Sequence, residues 1–534
     1  MRQAYDAVVI GSGFGGAITA CRLAQAGQSV CLLEKGPRCQ RTDFPRSPHE
    51  LATGTLWDEP RGQGLVEYRS FRRMDVIQGC GVGGGSLHYF NVCKQPPAAI
   101  FDAPRWPRTI TLQRLQPYYL LAKQMLDARP LQAPTGRTVP LRTQVFTQAV
   151  AAYHAQAEPV DIAVYSGDAT RDSQSACIYC GGCLLGCQVH AKNTLDLNYI
   201  RVAEKHGAEV FPLHRAENIE PDGTGYTVHI VRSGPDSSQA VGVLSVNARK
   251  VVVAAGTLGS NELLLKCRDV YNTLPNLSPA LGKGFSGNGD ILLAGTHYTD
   301  RVVDPSSGPS ITAAASFTEG QQQICIEDLG FPDPLLWYVN GTVPTWQRLT
   351  QSLHFAWGYL LSRLGRGRRS RLEVERLFRG GVTTGLLPYL AMGTDAADGV
   401  LTLDDHNCIT LNWSHRGSMP VLRLIERHLR AISRASGGRY VQSVLWTWPL
   451  RKLLTAHPLG GCALSASPSD GVVNELGEVW NYPNLYVADG SVIPTALAVN
   501  PSATISALAE RIAFHMIHGR EMEPADFSSL ASAA

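Results

Sequence analysis

The segment YDAVVIGSGFGGAITACRLAQAGQSVCLLEKG, residues 5–36, leaves this chain few ways to fold. Ala7 to Ile10 is a short apolar run suited to a buried parallel strand, Ala17 to Ala26 has helical character, and Val30 to Leu33 returns as a second strand. Between the first strand and the helix, Gly11, Gly13 and Gly16 spell G-x-G-x-x-G, with Phe14 and Gly15 inside the motif. Gly11 turns the chain, Gly13 admits a pyrophosphate to the backbone, and Gly16 lets the helix pack closely with its N-terminus facing the anion. Glu34, 23 residues after Gly11, is placed to accept hydrogen bonds from an adenosine ribose. A lone glycine motif would be weak evidence; strand, helix and acid together point to a dinucleotide, FAD or NAD.

The rest of the chain must be consistent with such a unit. At 534 residues and 44% hydrophobic content it can bury two or three domains. A net charge of +3, with 48 basic and 45 acidic residues interspersed, argues against a nucleic-acid partner. The opening MRQAYDAVVIGSGFGG lacks the regions of a secretory signal, and no long uninterrupted apolar window occurs, so a cytoplasmic, non-spanning protein is expected. In that compartment the 13 cysteines stay reduced, and clusters of them favour metal-binding or structural roles.

A second glycine segment, GCGVGGGSLHYFNV from Gly79 to Val92, permits close backbone approach to a flat ligand, or is only a flexible loop. The C-terminal part decides between them. It carries TAHPLGGCALS from Thr455, then NLYVADGS as a strand ending in Asp489 and Gly490, then VNPS before a helix from Ser502 to Ala513. With KVVVAAGTLGSNELLL from Lys250 and LGKGFSGNGD from Leu281, these motifs resemble the glucose-methanol-choline (GMC) oxidoreductases, most closely the cholesterol oxidase branch.

The resemblance implies an α/β protein. A Rossmann-like FAD domain would be assembled from residues 1–95, 201–290 and 451–534, with a connecting segment at 96–200 and an antiparallel-sheet substrate domain at 291–450. It implies FAD contacts at Gly11, Gly13, Phe14, Gly15, Gly16 and Glu34, at Gly79, Gly84, Gly85 and Ser86, at Val210, Ala255 and Gly256, and at Asp489, Gly490, Asn500 and Pro501. It implies hydride transfer from an alcohol carbon to the flavin, with His457 as the active-site histidine and Asn500 beside it. A neutral imidazole can take or orient a hydroxyl proton, and an amide adds no net charge; the plain alternatives are a satisfied core histidine and a helix N-cap asparagine. Cholesterol oxidases also use a glutamate base. ICIEDLGFP offers Glu327 and Asp328, but acids in an alternating strand ordinarily face solvent. Where many relatives have an Asn-Gly pair after the glycine loop, this chain has His88 and Tyr89, with Asn91 later.

The implied substrate is a small lipophilic alcohol, sterol-like by branch. The implied electron acceptor is O2, a quinone or a redox protein. Lyase or decarboxylase chemistry on the same fold, or pure electron transfer, are the alternatives. Two segments add expectations. Trp346 to Phe378 sets aromatic and leucine side chains beside Arg363, Arg366, Arg368, Arg369 and Arg371, suiting either peripheral contact with an anionic inner membrane face or an ordinary cap helix. CIYCGGCLLGCQVHAK places Cys177, Cys180, Cys183 and Cys187 at C-x2-C-x2-C-x3-C, the bacterial ferredoxin spacing, with Gln188 in the place of the usual proline. An iron-sulfur cluster (3Fe-4S or 4Fe-4S), a zinc site and metal-free thiols are the three readings of that loop.

Overall fold

The computed structural model describes residues 1–47, 50, 64–133, 135–167, 174–234, 237–332, 335, 385–443, 445–446 and 451–532. The arginine-rich stretch from Trp346 to Phe378 therefore lies outside the described residues. Among the described residues, no helix is long and apolar enough to cross a membrane.

The first sheet has seven strands. Its parallel core runs Glu209–Phe211, Val30–Leu33, Ala4–Ile10 and Ser237–Val253, with Leu485–Val487 also pairing with the last of these. Val9 stands opposite Leu32 on one side and Val252 on the other, all three fully buried. Strands buried on both faces read as unbroken apolar runs, which is why this register was set by VVI, CLL and VVV rather than by alternation. Tyr226–Gly234 and His214–Pro221 extend the sheet as an antiparallel edge. Two helices pack on each other against the sheet, Phe14–Gln25 near one end of the chain and Ser502–His518 near the other. Arg22 and Glu510 clasp them in a buried bidentate pair at 2.8 Å, and the Tyr199 hydroxyl donates to the same carboxylate at 2.6 Å. Removing one partner would strand a buried charge, at a cost of about 3–5 kcal/mol.

The second sheet has six strands, all antiparallel, in the order Arg439–Val441, Ile291–His297, Leu386–Gly393, Gln322–Asp328, Ala313–Glu319, Glu158–Pro159. Helices Leu141–Ala152 and Met419–Ala435 cover one face, where Ile324, Ile326, Tyr389 and Ala391 meet Phe146, Val421 and Ile425. The opposite face presents Cys325, Leu390 and Met392 to the core of the first sheet. Two details differ from the sequence expectation. Within the expected substrate domain, the strand Gly399–Leu403 pairs with Lys283–Phe285 and Ile409–Asn412 in a separate small sheet. The cap sheet instead takes its last strand from the connecting segment. A further three-stranded sheet sets Leu453–Thr455 parallel to Met74–Gly79, so that Thr455 lies opposite Val76 and the chain enters the HPLGG turn from a fixed strand.

Candidate functional site

One cavity of about 630 Å³ joins the two glycine loops to the C-terminal motifs. That volume lies within the range of small-molecule and cofactor sites. At one end the wall is Gly11 to Gly15, Glu34, Ala254 to Thr257 and His214 to Glu217. Gly11 has φ +98°, and a Cβ there would collide with the Ala254 carbonyl, so the strand can turn only at a glycine. Gly84, with φ +52°, passes so close to Gly13 that its Cβ would lie 2.5 Å from the Gly13 Cα. The two glycine loops thus touch backbone to backbone, while nothing lies within 4 Å of where a Gly13 Cβ would stand. Ala17 N–H already bonds to Gly13, leaving the first amides of the helix to face the cavity mouth. Glu34 accepts from Ser12 N and Oγ through one oxygen and from Gly36 N through the other.

Most of the expected cofactor positions line this cavity: Gly11, Gly13, Phe14, Gly15, Glu34, Gly79, Gly84, Gly85, Ala255, Gly256, Asp489, Gly490, Asn500 and Pro501. Three lie off its wall. Gly16 sits beneath the Gly11 carbonyl. Ser86 is fully buried, donating to Gly83 O at 2.7 Å and accepting from Leu195 N. Val210 pairs with Leu32 in the sheet, and the cavity wall beyond it is made by His214 to Glu217 instead. Asp489 accepts from Ser491 and Ser260, and burial pushes its carboxyl up. A glycine cradle, a helix N-terminus, an acid at the ribose position and an unpartnered buried Gln78 Oε1 fit an extended dinucleotide such as FAD.

His457 and Asn500 line the same cavity, and Asn500 bonds to the fully buried Glu327, which is not part of the cavity wall. His457 Nδ1 lies 2.9 Å from Asp290 Oδ1, and Asp290 is 1% exposed. The second Asp290 oxygen accepts from Thr455 Oγ1 at 2.9 Å and from Ala456 N at 3.1 Å. Asn500 Nδ2 donates to Glu327 Oε2 at 3.3 Å, leaving Asn500 Oδ1 and Glu327 Oε1 buried without partners. Asn500 does not cap the following helix, which starts without a side-chain cap. Glu327 is fully buried, and burial pushes its carboxyl up to about 8, with Asp328 and Asp290 adding repulsion and Asn500 opposing. Asp328, on the other face of the strand, accepts from Thr312 and Ala313 amides near Arg142.

Sequence reasoning passed over the turn that sets this geometry. Asn288 accepts from the Leu497 and Ala498 amides and donates to Val499 O at 2.9 Å, fixing the backbone just before Asn500. Two residues later Asp290 holds the His457 turn, and Asp395 accepts from the amides of Gly287 and Gly289 beneath both. The NGD triplet inside LGKGFSGNGD was the available signal.

His88 and Tyr89 both line the cavity. Burial and the nearby Lys192 charge hold His88 down at about 3, and its Nδ1 meets Leu184 O at 3.0 Å. The Tyr89 hydroxyl donates to Asn193 O at 2.8 Å.

The cysteine loop is built differently from a ligand cage. Among the described residues, no group of three or more His, Cys, Asp or Glu side chains is arranged to hold a metal. Cys180 is exposed, and the chain reverses through positive φ at Tyr179, Gly181 and Gly186 around the short helical turn Gly182–Leu185. The loop is gathered instead on an ammonium group: buried Lys192 Nζ donates to Leu87 O at 2.7 Å and Cys183 O at 2.8 Å. Leu184 and Leu185 of this loop form part of the cavity wall.

Comparison with known proteins agrees with this architecture. The GMC oxidoreductase family models match residues 5–268 and 444–509. Cholesterol oxidase of Mycobacterium tuberculosis (strain ATCC 25618 / H37Rv) is 30% identical over 96% of this chain and 91% of its own. Cholesterol oxidase of Acinetobacter baumannii is 29% identical over 95% and 93% respectively. The solved structure of pyridoxine 4-oxidase from Mesorbium loti superposes with a TM-score of 0.64 over 97% of this chain and 100% of its own, at 16% identity, a likeness of fold. On the two matched family regions and the relatives aligned along nearly its whole length, the chain belongs to the GMC oxidoreductases, FAD enzymes that act on alcohols.

Proposed function

We propose that this enzyme oxidises the CH–OH group of a lipophilic alcohol of sterol-like class. The observation that carries the reading is that His457 and Asn500 line the same cavity as the glycine cradle, with buried Glu327 bonded to Asn500. The wall of the same cavity includes Leu292, Leu293, Phe331, Leu335, Leu445 and Leu454, a surface suited to a hydrocarbon skeleton rather than to a sugar. The names of the two cholesterol oxidase relatives support the same class.

Gly11 to Gly15, Glu34, Gly84, Gly85 and Asp489 would hold FAD, which would supply the hydride acceptor. The protein's own work is positional and acid-base. Asn500, a residue of the cavity wall, keeps Oδ1 buried and unpartnered and so available to a hydroxyl group, with Glu327 holding its amide nitrogen. His457 presents an imidazole to the cavity for the hydroxyl proton. Residues 1–95, 201–290 and 451–534 form the cofactor unit in this proposal and 291–450 the substrate unit. Molecular oxygen is the proposed acceptor, in line with the oxidase relatives.

The test is anaerobic flavin bleaching with cholesterol, a long-chain primary alcohol, an aryl alcohol, glucose and choline. Bleaching by the lipophilic alcohols is expected, and none by glucose or choline. No bleaching by any alcohol with FAD bound would favour the lyase or electron-transfer reading. Admitting oxygen should then restore the oxidised spectrum with peroxide release, and a flavin that stays reduced in air would overturn the oxygen assignment. His457→Ala is expected to keep FAD and slow reduction by roughly 100-fold or more; unchanged reduction would remove His457 from the chemistry.

A further inference from the structure

We propose that Asp290 is a positioning residue that fixes the His457 tautomer, keeping the proton on Nδ1 and leaving Nε2 bare towards the substrate, so that His457 rather than Glu327 receives the hydroxyl proton. The inference rests on the alcohol-oxidising reading above and deepens it.

The hydrogen-bond inventory around Asp290 is closed. One carboxylate oxygen receives Thr455 Oγ1–H and the Ala456 amide, and the other faces His457 Nδ1 at 2.9 Å. With one oxygen taken up by the Thr455 and Ala456 donors, the other is presented to the imidazole as an acceptor, which gives Nδ1 the donor role. The neutral imidazole then carries its lone pair on Nε2, the atom a base needs. When Nε2 takes a proton, the resulting imidazolium sits beside a buried negative charge already aimed at it, without reorganisation of solvent. In the proposed step the alcohol O–H bond would break with its proton passing to Nε2, and bound FAD would supply the two-electron acceptor for the carbinol hydride, leaving a carbonyl.

Glu327 is placed for a different task. It accepts from Asn500 Nδ2 through one oxygen, and its other oxygen has no protein partner. Buried and pushed up to about 8, its carboxyl is protonated at neutral pH and can donate a hydrogen bond rather than take a proton. The two carboxylates near this site thus differ through their surroundings. Asp290 is matched by three donors, whereas Glu327 has a single long one.

Asp290→Asn tests this directly, because an amide cannot satisfy the same partners. Its oxygen is needed by the Ala456 amide, so its NH2 is turned towards His457 Nδ1, which must then accept. The histidine proton is thereby driven to Nε2. In FAD-loaded enzyme carrying nitrogen-15 histidine, with the His457 signal assigned by its loss in His457→Gln, the wild type is expected to show a protonated Nδ1 and a bare Nε2. The Asp290→Asn variant is expected to show the reverse. Anaerobic flavin reduction should fall by roughly 100- to 10,000-fold, with half-saturating alcohol changed far less. Asp290→Glu, which keeps the carboxylate, should recover part of the rate. An unchanged tautomer and reduction rate in Asp290→Asn would overturn the proposal. If that variant does not hold FAD, the wild type alone decides, and a proton on Nε2 there overturns it. If wild-type flavin is bleached by no alcohol, the functional reading fails while the tautomer still tests Asp290.

Discussion

Replacing Glu327 by Gln removes a buried ionisable group while keeping its shape and its bond from Asn500. In the unfolded chain this carboxyl ionises near 4.5, and in the fold only at about 8. At pH below 4.5 the group is protonated in both states and costs nothing. As pH rises towards 8 the unfolded state ionises first, so wild-type stability falls progressively across that window and then levels off. The gap between the two values corresponds to about 5 kcal/mol at most. With an unfolding entropy of roughly 2.1 cal/mol/K per residue, a chain of 534 residues has about 1.1 kcal/mol/K, so the loss is about 4 °C in Tm. The assay is the melting temperature of FAD-loaded wild type and Glu327→Gln at pH 5, 6, 7 and 8. The variant should gain on the wild type by about 3 °C between pH 5 and pH 8, most of the full effect. A difference that stays constant over that range would show that Glu327 is ionised in the fold and refute the reasoning.

Three other outcomes follow from the same structure. Gly84→Ala forces a Cβ to 2.5 Å from the Gly13 Cα at φ +52°, and the purified protein should lose most of its flavin absorbance relative to protein absorbance; full FAD content would falsify the backbone contact. Lys192→Met strands the carbonyls of Leu87 and Cys183, at roughly 1–3 kcal/mol each, and should lower both Tm and retained FAD, whereas an unchanged melt would show that the loop does not depend on the ammonium. Iron and acid-labile sulfide in anaerobically purified protein should be far below one per chain, and stoichiometric amounts of both would show that the four cysteines converge after all.

The dinucleotide end was legible because its determinants are local. A glycine that must turn and an acid at a fixed distance are properties of one short stretch, and the parallel sheet follows from apolar runs that can only be buried on both faces. Glu327 was harder to read for a physical reason. Acids in an alternating strand face solvent when one side of the sheet is wet, yet Gln322–Asp328 lies inside the cap sheet, with helices on one face and the first-sheet core on the other. Glu327 and Asp328 are therefore both fully buried, pointing opposite ways into different environments. Asp290 and Asn288 were invisible as site residues because their partners lie more than 160 positions away along the chain. The cysteine spacing left its three readings open for the complementary reason. Spacing fixes how far apart thiols lie along the chain, but convergence on an ion depends on where each side chain points, and the turns at Tyr179, Gly181 and Gly186 decide that.

The turn carrying Asn288 and Asp290 continues without interruption into the strand Ile291–His297. The first residues of that strand form a bulge between Leu292 and Ala294, with Leu293 at φ 64°, and both leucines line the cavity. A substrate skeleton pressing on Leu292 and Leu293 therefore leans on the same few residues that aim His457 and Asn500. Recognition and reactivity share one lever, so an alcohol that fits the apolar wall badly pays in turnover as well as in affinity. Chain-length or ring-size discrimination in this enzyme should accordingly appear in kcat as well as in KM across the series.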